Sequence, residues 1–74
     1  MTAKKTIDAQ TIGERLRTLR GTIPQKEVGD AVGVTAAAIS QYERGERVPT
    51  DTIKMALAHY FNTTVDAIFF LLSK

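Results

Sequence analysis

QKEVGDAVGVTAAAISQYERG, residues 25–45, holds two helix-length segments separated by a glycine turn. Pro24 stands just before it, where a missing N–H costs nothing in the first turn of a helix. The first segment runs Gln25 to Val32, with Val28, Ala31 and Val32 expected to point inward, and Gly33 stops it. Gly33 also supplies a residue free to take positive φ in the turn. Thr35 is placed to cap the second segment, Ala36 to Arg44, and Gly45 to end it. Gly29 falls in mid-helix, where glycine costs about 1 kcal/mol relative to alanine. Close approach of a crossing helix explains that choice. Val28, Val32, Val34, Ile39 and Tyr42 are the apolar residues that lock the pair. The spacing predicts two helices crossing steeply over a short turn.

Outward from this unit the chain reads as helix throughout. An N-terminal helix is expected over Thr11 to Arg20, with Ile12, Leu16 and Leu19 on one stripe and Gly21 at its end. Thr11 and Glu14 have capping-box spacing, and Asp8 offers a start one turn earlier. Beyond the loop Glu46 to Pro49, Thr50 starts a fourth helix with a stripe of Ile53, Ala56, Leu57 and Tyr60. Asn62 can serve as its left-handed terminator, and Thr64 caps a fifth helix from Val65. Alternation of apolar and polar residues never persists, so no strand is expected. The fold class is all-α, a compact five-helix domain over residues 11–74 behind a polar arm, residues 1–10. Lys4 and Lys5 in that arm fit a disordered terminus or a segment lying along a polyanion.

Seventy-four residues make one domain, and a chain of this size buries only roughly 60% of its unfolded surface. There is no cysteine, so neither disulfides nor thiolate metal sites contribute. The net charge of +2, from ten basic and eight acidic residues, is a weak pointer to a polyanionic partner. No secretory signal is evident, and the run Ala67 to Leu72 is far short of the roughly 20 residues of a membrane helix. A cytoplasmic protein is the expectation. His59 is the single histidine, with no second nitrogen or sulfur ligand to complete a metal site. No nucleophile–base pair or glycine-rich phosphate loop is present, so neither an enzyme nor a cofactor is expected.

The third helix, projected at about 100° per residue with Ile39 inward, puts Ala37, Ser40, Gln41 and Arg44 on the opposite arc and Ala36 at its edge. Gln41 has the donor and acceptor to pair bidentately with adenine, Ser40 serves as either, and alanine offers methyl contact to thymine. Arg44 and Arg47, bracketing the glycine turn, suit phosphates. Glu43 projects on the inward side.

The stretch Ile12 to Ile68 resembles the Cro/CI (XRE) helix-turn-helix family of phage and bacterial repressors. The matching pieces are IGERLRTLRG, QKEVGDAVGVTAAAISQYERG, the VP of the following loop and FNTTVDAI. The resemblance implies a five-helix fold and a homodimer on a double-stranded DNA operator, with the third helix in the major groove. It implies base contacts at Thr35, Ala36, Ala37 and Gln41. It implies that Gln25 holds a phosphate and braces the reading helix, and that Arg20 pairs with Glu43 in a structural role. The chain departs from the family in its three alanines at 36–38 and in Pro24 where a capping Ser or Thr is usual. The first shifts readout toward shape and methyl packing. The larger CI repressors carry a C-terminal oligomerisation and self-cleavage domain for which this length has no room.

In the fifth helix Val65, Ile68, Phe69 and Leu72 form one stripe, while Phe70 projects almost opposite and Leu71 to the side. Apolar residues off the core face suggest a partner surface. That surface serves homodimerisation in one reading. In the alternative it makes a heteromer with another repressor, the protein being a modulator, antirepressor or antitoxin-like partner.

Overall fold

The computed structural model describes residues 7–70, and among them the chain forms five helices: α1 (Ala9–Arg20), α2 (Gln25–Val32), α3 (Ala36–Glu43), α4 (Asp51–Tyr60) and α5 (Val65–Phe69). Lys4, Lys5, Leu71 and Leu72 lie outside the described residues. Helix α3 packs on both α1 and α2, α4 packs on α2, and α5 closes the other side against α1 and α4. The core is drawn from every helix: Ile12, Leu16, Val28, Val32, Ile39, Tyr42, Leu57, Ile68 and Phe69 are all buried. No helix among the described residues is long and apolar enough to cross a membrane.

Local chemistry explains several of the boundaries. Asp8 caps α1, its Oδ1 accepting from the Thr11 N–H at 2.8 Å. The earlier of the two candidate starts is therefore the one used, because an aspartate at the cap satisfies an orphan N–H directly. Thr35 Oγ1 accepts from the Ala38 N–H at 3.0 Å and Thr64 Oγ1 from the Ala67 N–H at 3.1 Å. Pro24 opens α2 without a side-chain cap. Gly33 takes φ 89° and Asn62 takes φ 57°, and each ends its helix in the left-handed region.

Three core assignments change. Ala31 is exposed, because Val28, Gly29 and Val32 define the inward arc of α2 and Ala31 falls about 100° from its centre. Leu19 is 39% exposed, beside a groove between α1 and α5. Helix α5 ends at Phe69, and Phe70 is extended at φ −126°, ψ 156°. A helical projection therefore does not apply to Phe70, which is half-buried against the core. Lys54 Nζ lies 5.9 Å from its ring centroid and 5.5 Å from that of Phe69.

Two glycines set how closely the helices approach. A Cβ on Gly29 would stand 2.6 Å from the Val34 carbonyl oxygen, at the turn between α2 and α3. A Cβ on Gly13 would meet the carbonyls of Tyr42 and Glu43 at the end of α3. Gly29 was expected to mark a close approach; Gly13 carries the same signal, a glycine in mid-helix, and makes the second one.

Candidate nucleic-acid interface

The outer arc of α3 begins at its cap. Thr35 is exposed, but its hydroxyl is engaged with the Ala38 N–H, so it fixes where the helix starts. Ala37 and Arg44 are exposed, Ala36, Ser40 and Gln41 are half-buried, and Ala38, Ile39 and Tyr42 are buried. The face is thus made of two methyl groups, a hydroxyl, an amide and a guanidinium.

Its polar groups contact one another. Arg44 Nη1 donates to Ser40 Oγ at 2.6 Å, and Arg47 Nη1 donates to Gln41 Oε1 at 3.4 Å. The Arg47 guanidinium also lies 5.8 Å from the Tyr42 ring centroid, a cation–π contact that biases it toward α3. Arg44 further forks Glu46, with Nε to Oε2 at 2.9 Å and Nη2 to Oε1 at 3.1 Å. The hydrogen bond between them raises Arg44 above, and lowers Glu46 below, their ordinary pKa values.

Behind this face lies a second network. Arg20 Nε and Nη2 reach the two oxygens of Glu43, the latter at 3.0 Å, and Gln25 Nε2 donates to Glu43 Oε1 at 3.1 Å. The Glu43 hydrogen bond pushes the Arg20 pKa up. Arg20 Nη1 also donates to the Ile23 carbonyl at 2.8 Å, tying α1 to the chain that enters α2. The end of α3 is thereby held to α1 and to the first residue of α2 at once. Glu43 is only 5% exposed and is neutralised by its partner, which keeps its charge off the outer arc.

A cleft beside the face is lined by Arg17, Arg20, Gln25, Ser40, Glu43 and Arg44. The structure thus brings Gln25, Ser40, Gln41, Arg44 and Arg47 onto one side of the molecule around α3. Phe70 follows α5 and is packed by Lys54 and bonded through its carbonyl by Arg15 instead, and Leu71 lies outside the described residues. Arg17 and Glu46 join this cluster although the sequence pattern assigns neither of them a contact. The signal for Arg17 was its spacing from Arg20, one turn earlier on α1; for Glu46 it was its place between two arginines at the helix end.

The chain's arrangement has known counterparts. A family model described as helix-turn-helix matches residues 14–68. The P22 c2 repressor, in its complex with a synthetic operator, is 38% identical, with a TM-score of 0.77 over 80% of this chain and 92% of that one. The DNA-binding domain of the P22 c2 repressor in solution is 36% identical, with a TM-score of 0.75 over 84% of each chain. At 24% identity, the restriction-modification controller protein C.AhdI from Aeromonas hydrophila shares the fold, with a TM-score of 0.75 over 82% of this chain and 96% of that one. No curated protein sequence matches the chain.

Proposed function

Since this chain belongs to the Cro/CI (XRE) helix-turn-helix family and is a DNA-binding transcription regulator, we propose that it is a repressor that binds a two-fold symmetric operator as a homodimer, with α3 in the major groove. The observation that carries this reading is the outer arc of α3. It presents Ala37, Ser40, Gln41 and Arg44 with no acidic residue among them, because Glu43 is turned inward onto Arg20. Gln41 would read adenine through its amide, and Ser40 would take either a donor or an acceptor. The methyls of Ala36 and Ala37 leave room for thymine methyls to approach the helix. Gln25, Arg44 and Arg47 would hold phosphates on either side and fix the register. The protein works by binding, in the cytoplasm, without a cofactor and without catalysing a reaction.

Selection from a pool of random duplexes tests this reading. Enrichment of an inverted repeat, with half-sites about 10 bp apart, is the expected outcome, together with two protomers per site by native mass measurement. Recovery of a single asymmetric half-site would refute the dimer, and recovery of no motif by the folded protein would refute the operator.

A further inference from the structure

Arg44 is the arginine at the end of the reading helix, and three of its five N–H donors are already engaged. The Nε–Nη2 edge, which forks a phosphate or carboxylate bidentately, is occupied by both oxygens of Glu46. On the opposite edge, Nη1 is committed to Ser40 Oγ. A phosphate therefore meets an arginine whose matching edge carries another anion.

Glu46 is held in that place by the backbone. Gly45 takes φ 75°, which turns the chain back at the helix end, and the Glu46 N–H donates to the Gln41 carbonyl at 2.9 Å. The two carboxylates near the end of α3 thus have different fates. Glu43 is buried under Arg20 and Gln25, whereas Glu46 and Arg44 stay 55% and 58% exposed in their side chains. An exposed pair of this kind opens readily, so it can be exchanged when DNA arrives.

We infer that Glu46 is an intramolecular stand-in for a DNA phosphate, which competes for Arg44 and tunes down the protein's affinity for DNA of any sequence. The inference rests on the DNA-binding reading above and adds a residue to it. Non-specific binding is built from phosphate contacts alone, so a residue that weakens one such contact holds back the background against which an operator is found. The Ser40 hydroxyl, which accepts from Nη1 on the other edge, keeps its own O–H to donate while Arg44 exchanges Glu46 for a phosphate.

The test measures binding of a random duplex across a range of salt for the wild-type chain, Glu46→Gln, Arg44→Gln and the double variant, with helicity checked for each. In the wild type, moving Arg44 from Glu46 to a phosphate exchanges one anion for another and leaves a carboxylate to recruit a cation. Glu46→Gln is expected to tighten binding about twofold to fivefold at low salt, and to steepen the log–log salt slope by about one unit. With Arg44 already replaced, the same substitution is expected to give clearly less of both. Equal effects with and without Arg44 would overturn the inference, because Glu46 would then act only by repelling phosphates. No tightening in the Glu46→Gln protein would overturn it as well. Failure of the wild-type chain to bind any duplex is seen before any variant is compared, and it would remove the DNA-binding reading and this inference together.

Discussion

Arg20 and Glu43, 23 residues apart, meet in a two-pronged ion pair that fastens the end of α3 to α1. With side chains 17% and 5% exposed, the pair is shielded enough for loss of one partner to matter. Glu43→Gln should lower unfolding free energy by about 1–3 kcal/mol, less than a fully buried pair would lose because Arg20 keeps some solvent. Urea denaturation measures it. A change below about half a kcal/mol would mean that solvent already carries most of Arg20's charge.

Gly13 and Gly29 let the helices pass closely, and alanine at either should do harm despite its higher helix propensity. At Gly29 the new Cβ faces a carbonyl oxygen 2.6 Å away, and at Gly13 it faces the Tyr42 carbonyl oxygen at 2.7 Å. Backbone atoms yield less easily than the end of a side chain, so a loss of about 2 kcal/mol is expected at each. Thermal melts that rise instead would show that the helices can slide apart without cost.

Gln41→Ala should weaken binding to the selected operator by about 1–3 kcal/mol and leave random DNA nearly unaffected. Equal losses on both would take Gln41 out of base readout. Arg47→Ala should weaken both DNAs and flatten the salt slope by about 0.9 unit. An unchanged slope would leave Arg47 as a brace for Gln41 and Tyr42 alone.

Asp8 gives the fold a component of acid sensitivity. Its carboxyl pKa lies below the ordinary 3.8, chiefly because the Thr11 N–H donates to the ionised form. A folded-state value lower than the unfolded one means that the unfolded chain takes up the proton more readily. The stabilisation is therefore full above pH 3.8 and is lost as pH falls through the depressed value. Melting temperatures from about pH 6 down to about pH 2 should fall more steeply for the wild type than for Asp8→Asn, which keeps a capping oxygen without the titration. Parallel curves would assign the acid response to other carboxylates.

Phe70→Ala should cost about 1–2 kcal/mol of stability, because the ring packs on the core and beside Lys54. A neutral substitution would show that the ring adds no packing energy to the core.

The helix order and the outer arc of α3 were legible because they depend on local chemistry. Thr35, Gly33 and Asn62 act within a few residues of themselves, and the period of α3 decides which of Ala37, Ile39 and Gln41 faces out. The extended backbone of Phe70 was not legible, because a periodic projection assumes that the helix continues and nothing in FFLL marks an end after Phe69. The groups engaging Arg44 were not legible either. Whether an arginine reaches Glu46, Ser40 or solvent depends on the turn at Gly45, and residue order does not state that turn's direction. Arg15 was likewise unreadable: its Nη1 donates to the Ala67 and Phe70 carbonyls, 52 and 55 residues away.

That last contact also bears on the order of events at the ribosome. At about 5–20 residues per second, roughly 3–10 s pass between the synthesis of Arg15 and that of Ala67. Over the later part of that interval α2 and α3 already exist as sequence, while Ile68 and Phe69, 1% and 0% exposed in the finished fold, have yet to be made. The nascent chain has no floor to fold onto until α5 emerges. A message cut short before α5 should therefore yield a chain open to proteolysis, never a smaller folded domain.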